Sequence, residues 1–277
     1  AIRIYKYLVE NNIPFVVHYH GKDASAEFIS PTYARESRKV FNAARFVVTA
    51  SEHVKRLLVI RGCDENKIKV IRYGVETNKL QPISWDERFK SNPSLVFLGR
   101  LTEKKNPLAL IHAFKLVLEQ VPDAKLTIIG KGKLEGEIKA RIKQLGLGDA
   151  VNLLGSMPQS DALQIVNRHW VFTQHNVTAV DGDQEGYSLA PAEAAALELP
   201  VVSTLHNGIP EHVVDGVTGY LVREFDYQSL ANRIVDLLYD KDKIVAFGKA
   251  GRKNIQKLND PQNRLSQMYN LLVEATQ

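Results

Sequence analysis

Short apolar runs rich in Val, Ile and Phe alternate with amphipathic stretches along this 277-residue chain, and the alternation starts twice. A buried run of four to eight such residues followed by a helical period marks a βαβ unit, whose strands lie parallel and covered on both faces. In the first part, "IPFVVHYHG" (13–21), "ARFVVTAS" (44–51) and "KIKVIRYGV" (67–75) read as strands. Ser51 is placed to cap a helix over "EHVKRLLVIRG", which Gly62 ends. The stretch 76–93 is polar, holds Pro82 and Pro93 and lacks a period, and residues 81–93 are expected to form a linker. After it, "SLVFLGRL", "AKLTIIGKG", "DAVNLLG", "WVFTQH", "LPVVSTLHNG" and "TGYLV" read as strands. Helices are expected between them over "NPLALIHAFKLVLEQV", "LEGEIKARIKQLGL" and "SDALQIVNRH", and the last fifty or so residues read as helices.

The expected fold is therefore α/β, with two Rossmann-like lobes. Residues 1–80 form a first lobe, onto which a helix at 260–277 packs back, and residues 94–259 form a second. The chain opens on Ala1 and enters helix and strand patterns at once, so the first lobe is expected to be incomplete. In such folds ligands bind beyond the carboxyl ends of the strands.

Composition narrows the function. The 44% apolar and 24% charged content is that of a globular chain, and no apolar run approaches the 18 or so residues of a membrane span. A single cysteine, Cys63, excludes an internal disulfide and a cysteine-rich zinc site, and fits a reducing compartment such as the cytoplasm. Residues 1–80 carry a net charge of +6 and the remainder −1, which favours an anionic ligand or an anionic membrane face near the first lobe. Nucleic acid is not expected as a partner, because the basic residues are not interleaved with aromatics and form no arginine-rich tract.

Three strand-end loops carry the residue types of a ligand site. In "LGRLTEKKNP", Arg100 follows a strand and a glycine, and Lys105 lies just before Pro107, a first-turn residue of the next helix. Two cations beside a helix N-terminus suit a pyrophosphate, or else form an exposed basic loop. In "GKGKLEG" (130–136) the third position of a dinucleotide fingerprint is Glu135, not glycine, which argues against a nicotinamide enzyme; there is no GK[ST] phosphate loop either. In "HYHGKD", His18 and His20 share one side of a strand, and His20 at its tip faces the expected crevice. A histidine pair without a third ligand makes a weak metal site.

The fourth segment, "DGDQEGYSLAPAEAAALELP" (181–200), holds two pairs of carboxylates. Asp181 and Asp183 have the spacing of a divalent-metal site. Glu185 and Glu193 instead flank a helix start, with Ser188 as the expected N-cap and Pro191 in the first turn. Free N–H groups near 188–190 then face an anion, and Glu193, one turn inside, accepts hydrogen bonds from a vicinal diol such as a ribose.

These motifs together resemble the retaining glycosyltransferases of family four, which have the two-lobed GT-B fold. "EGYSLAPAE" resembles the family's E-x7-E motif, "VFLGRLTEKKNP" its basic loop, and "HYHGKDAS" its H-G-x-D loop. "LPVVSTLHNGIPEHVVDGVTGYLV" is similar to the segment after the motif. The resemblance covers roughly residues 13–240 and lies closest to bacterial exopolysaccharide and colanic-acid-type enzymes. It implies that Arg100 and Lys105 hold the donor diphosphate, Glu193 the ribose and Glu185 the transferred sugar. Backbone N–H groups of Tyr187, Ser188 and Leu189 would help hold phosphate or sugar, His20 would lie near the reacting carbon, and the segment from Gly155 to Pro158 would line the base.

The resemblance also implies a metal-independent transferase without a cofactor, using a UDP- or GDP-sugar and a glycan or lipid-linked acceptor. It would work in polysaccharide biosynthesis in the cytoplasm, at the inner membrane face. The family's first lobe begins before the position matching residue 1, with a glycine-rich loop that has no counterpart here. Two other readings stand beside it: a nucleotide-sugar-binding module without turnover, and a metal-dependent GT-A enzyme using Asp181 and Asp183.

Overall fold

The computed structural model describes residues 2–277, which divide into two compact units. The first comprises the chain up to Gly74, Thr178–Tyr187 and Asn259–Gln277; the second comprises Val75–Val177 and Ser188–Leu258.

The first unit opens with the helix α1 (Tyr5–Glu10), then alternates β1 (Val16–Tyr19), α2 (Pro31–Ala43), β2 (Phe46–Thr49), α3 (Glu52–Ile60) and β3 (Ile68–Val70). Its three strands pair in parallel in the order β1-β2-β3. Val17, Tyr19 and Val47 pack with Phe28, Phe41, Val54 and Leu58 in one buried cluster. Ser51 caps α3 as its sequence suggests, accepting from the Val54 N–H at 3.2 Å. Helix α2, not expected from the sequence, carries its own start signal: Ser30 accepts from the Tyr33 N–H and Pro31 occupies the first turn.

The second unit contains α4 (Trp85–Arg88), β4 (Ser94–Leu98), α5 (Pro107–Gln120), β5 (Lys125–Ile129), α6 (Glu135–Gln144), β6 (Val151–Gly155) and α7 (Gln159–Val166). It continues with β7 (Val171–Thr173), α8 (Leu189–Ala196), β8 (Val201–Thr204), β9 (Gly219–Val222), α9 (Tyr227–Leu238) and α10 (Lys241–Leu258). The six strands run parallel in the order β6-β5-β4-β7-β8-β9, the doubly wound arrangement whose strand order reverses between β4 and β7. Strand alternation splits the core in two. Leu95, Phe97, Val171 and Val202 face α5 and α9, while Val96, Phe172 and Val201 face the small side chains of α8.

The chain's last helix, α11 (Pro261–Thr276), returns to the first unit, where Leu271 packs with Val48 and Ile71. Residues 81–93, expected as a linker, instead belong to the second unit. Ser84 caps α4 there, and Trp85 and Arg88 are buried, so this polar stretch is anchored by one aromatic ring and one cation. Among the described residues no helix is long and apolar enough to cross a membrane.

Candidate functional site

In the second unit, the switch point between β4 and β7 gathers the residues most suited to an anion. The loop after β4 runs through Gly99 and Arg100 to a short 3-10 turn at Glu103–Lys105. Asn106 then adopts a left-handed conformation (φ 40°), accepts from the Ala109 N–H and starts α5. This geometry leaves Arg100 exposed and turns Lys105 inward, where it is 8% exposed. The Lys105 ammonium donates to Ser188 Oγ at 2.9 Å and lies 3.4 Å from the Gln174 amide oxygen. Gln174, just after β7 and fully buried, is locked in turn by its amide N–H to the Leu98 carbonyl at 2.6 Å. Sequence reading missed Gln174, since an isolated amide in an apolar run carries no motif.

Ser188 occupies the N-cap position of α8, but its side chain does not cap the helix. With φ at 63° and its hydroxyl held by Lys105, it leaves the first-turn N–H groups without a side-chain acceptor. That corrects the expected Ser188 cap: the ammonium outcompetes the backbone for the hydroxyl. The helix is alanine-rich, with Pro191, Ala192 and Ala194–Ala196 buried, so its backbone packs closely on the sheet. Leu189, its first residue, is 38% exposed.

Two guanidinium groups, Arg88 buried and Arg252 half-buried, satisfy the other end of α8. Arg88 donates to the Leu197 carbonyl at 2.5 Å and to the Asn167 carbonyl at 2.9 Å, with its plane 4.3 Å from the Trp85 ring. Arg252 donates to the Ala196 and Thr77 carbonyls. Cations at the C-terminal carbonyls complement the helix dipole, whose positive end lies at residues 188–190. Neither arginine was legible as part of a site, because one lies in the expected linker and the other in a helical tail.

Glu193 sits one turn inside α8, 9% exposed, and accepts a hydrogen bond from the Gln159 amide at the start of α7. Burial pushes its carboxyl pKa up to about 7, against the opposing pull of that amide. Gly155, at the end of β6 with φ at 71°, accepts from the Gly130 N–H at 2.7 Å. The glycines of the "GKGK" loop have a steric reason: a Cβ on Gly130 would lie 1.9 Å from the Gly99 carbonyl oxygen, and one on Gly132 2.3 Å from that of Leu101. The loop therefore braces the turn after β4.

The first unit brings His20 together with the segment 178–187. The His20 and Gly21 N–H groups both donate to the Asp23 carboxylate at 2.8 Å, which fixes the turn after β1. Gly186 approaches so closely that a Cβ there would lie 1.7 Å from the His20 carbonyl oxygen. The Ser51 hydroxyl donates to the Gly186 carbonyl at 2.8 Å, and half-buried Glu185 precedes this contact. Tyr187 is 1% exposed, with its hydroxyl 2.9 Å from Asn259 Oδ1. The His18 and His20 rings stack at 6.0 Å, on one side of β1 as alternation requires. Asp181 spends its carboxylate on the Asp183 N–H at 3.0 Å in a tight turn with Gly182 at φ 77°, a local role that accounts for their spacing. Among the described residues no group of three or more His, Cys, Asp or Glu is placed to hold a metal ion.

Glu185 and Tyr187 thus belong to the first unit, and Arg100, Lys105, Gly155, Ser188, Leu189 and Glu193 to the second, the boundary falling between Tyr187 and Ser188.

Comparison with known proteins bears on the family and the fold. Residues 82–254 match the family described as glycosyl transferases group 1, and residues 2–79 match glycosyltransferase family 4. The amylovoran biosynthesis glycosyltransferase AmsK of Erwinia amylovora is 32% identical over 241 residues, which cover 87% of this chain and 59% of AmsK. The capsular polysaccharide biosynthesis glycosyltransferase CapM of Staphylococcus aureus is 26% identical over 260 residues, covering 88% of this chain and 66% of CapM. The chain thus spans about three fifths to two thirds of the length of these relatives. In fold it is similar to Anabaena HepE solved in complex with UDP, with a TM-score of 0.87 at 23% identity, covering 99% of this chain and 76% of HepE. The GT-A alternative falls away, and the chain belongs to the glycosyl transferases group 1 family, with the GT-B fold.

Proposed function

We propose that the chain carries the donor-binding lobe of a retaining, metal-independent glycosyltransferase that moves a sugar from a nucleotide-sugar donor to a glycan or lipid-linked acceptor. One observation carries this reading: Lys105 and Ser188 meet at the uncapped start of α8, and Glu193 rides one turn behind on the same helix. A diphosphate there gains a buried cation and free backbone N–H groups, while Glu193 takes the ribose hydroxyls. Arg100, exposed on the same loop, closes on the outer phosphate. HepE was solved with UDP and with UDP-glucose, which makes UDP-sugars the first donors to test.

In the reaction, the bond between the anomeric carbon and the phosphate oxygen breaks, and charge grows on the diphosphate. Lys105, Arg100 and the helix end stabilise that charge. The acceptor hydroxyl oxygen forms the new bond on the same face, and its proton passes to the departing phosphate oxygen, so configuration is retained. His20 and Glu185 are assigned to the transferred sugar. No metal is required in this scheme, because cationic side chains and N–H groups supply the compensation. Work in bacterial polysaccharide biosynthesis fits the family relatives. The +6 charge of residues 1–80 fits a peripheral contact with the inner face of the cytoplasmic membrane, which predicts liposome binding that is lost at high salt.

The test is transfer or hydrolysis of UDP- and GDP-sugars by this chain in excess EDTA. Anomeric retention in the product supports the reading, and strict dependence on added Mn²⁺ or inversion of configuration refutes it. Nucleotide-sugar binding without turnover would instead identify a binding module.

A further inference from the structure

A hydrogen-bond chain in the first unit ends on His20. The His20 Nδ1 lies 2.5 Å from the Tyr73 hydroxyl, and the two rings are nearly parallel, 15° apart with centroids at 6.1 Å. Tyr73 itself is held from several directions. Its carbonyl accepts from the Asn259 amide at 2.6 Å, its ring meets the Tyr187 ring edge-on at 5.8 Å, and the Arg264 guanidinium lies 5.6 Å from its centroid. Asn259 also pairs with the Tyr187 hydroxyl, so one amide braces both tyrosines. Tyr73, Tyr187 and Asn259 are distant in sequence, yet each lies within two residues of a point where the chain passes between the units.

A ring held this firmly aims its hydroxyl at one place, the Nδ1 of His20. We propose that Tyr73 is a positioning residue that donates to His20 Nδ1 and so keeps the imidazole proton on Nε2, turning that N–H outward as a hydrogen-bond donor to the bound ligand. The partner of one ring nitrogen sets which nitrogen carries the proton. Tyr73 is suited to donate: burial first, then the carboxylates of Asp23 and Glu185, raise its pKa, while Arg264 opposes them. Asn259 extends the device to the loop that carries Glu185, since Tyr187 follows it by two residues and shares the same amide. The tautomer stands on this geometry alone; its effect on turnover rests on the transferase reading.

The experiment is ¹⁵N NMR of the histidine-labelled chain, with the His20 signals assigned by a His20→Gln spectrum. The expected wild-type pattern is an unprotonated Nδ1 and a protonated Nε2. Tyr73→Phe keeps the ring contacts and should give an averaged pattern over the two tautomers. UDP affinity should stay within about twofold, since the phosphate groups proposed above lie in the other unit, while donor turnover falls about tenfold at unchanged KM. A proton on Nδ1 in the wild type overturns the proposal whether or not Tyr73→Phe folds. So does Tyr73→Phe with normal turnover, or with reduced turnover and an unchanged tautomer, the latter marking a merely structural tyrosine. Failure of the wild type to bind UDP or turn over donor counts against the proposed function and leaves the tautomer result standing.

Discussion

Glu193 ties binding to pH in a way that can be worked through. Its carboxyl is buried on α8 and titrates at about 7 in the folded chain, against 4.5 for the free side chain. Between those values the folded state holds a proton that the unfolded state has lost. Its contribution to stability is therefore complete below pH 4.5 and is lost as pH rises through 7, a change of about 3 kcal/mol. Ribose hydroxyls donate to the carboxylate, so a nucleotide sugar prefers the ionised form. About nine tenths of Glu193 is ionised at pH 8 and about one tenth at pH 6, so affinity should fall roughly tenfold between them. A nucleotide sugar is the proper probe, because both its phosphates are esterified and neither titrates near 7. Calorimetry at pH 6 and 8, in two buffers of different ionisation enthalpy, should show proton release on binding at the lower pH. In Glu193→Gln the release and the pH dependence should both vanish. Equal affinity at the two pH values in the wild type, or a tenfold change that survives in Glu193→Gln, refutes the reasoning.

Other perturbations probe the scaffold. Arg88→Met strands the Asn167 and Leu197 carbonyls and should cost about 3–5 kcal/mol, lowering the calorimetric midpoint by about 10 °C; a loss under about 1 kcal/mol contradicts the account of α8. Gly186→Ala places a methyl 1.7 Å from the His20 carbonyl and should destabilise the chain by about 2 kcal/mol or more, read by urea unfolding. Gly148→Ala, with nothing near its Cβ, is the silent control. Lys105→Met removes the buried ammonium from Ser188 and should weaken UDP binding at least tenfold, with a smaller loss in Arg100→Met because that side chain is exposed.

Much of the architecture was legible because it is periodic. The parallel strands of the second unit announce themselves as apolar runs, and the positions of Lys105, Ser188 and Glu193 follow from where strands end and α8 begins. What stayed hidden depends on long-range pairing. Gln159 lies 34 residues from Glu193, and Asn259 lies 186 from Tyr73, so no local pattern links them. Ser188 shows the limit of local rules, being a good cap by type whose hydroxyl goes to a lysine 83 residues away. Residues 81–93 show another, since two anchors, Trp85 and Arg88, suffice to bury part of a segment whose average composition is that of a linker.

The most direct test of the donor-site assignment is calorimetric titration of this chain with UDP-glucose in excess EDTA, repeated with Lys105→Met and Glu193→Ala. Saturable binding by the wild type that each substitution weakens about tenfold or more is the predicted result. Binding that appears only with added Mn²⁺, or that persists unchanged in both variants, would place the donor elsewhere and contradict the account.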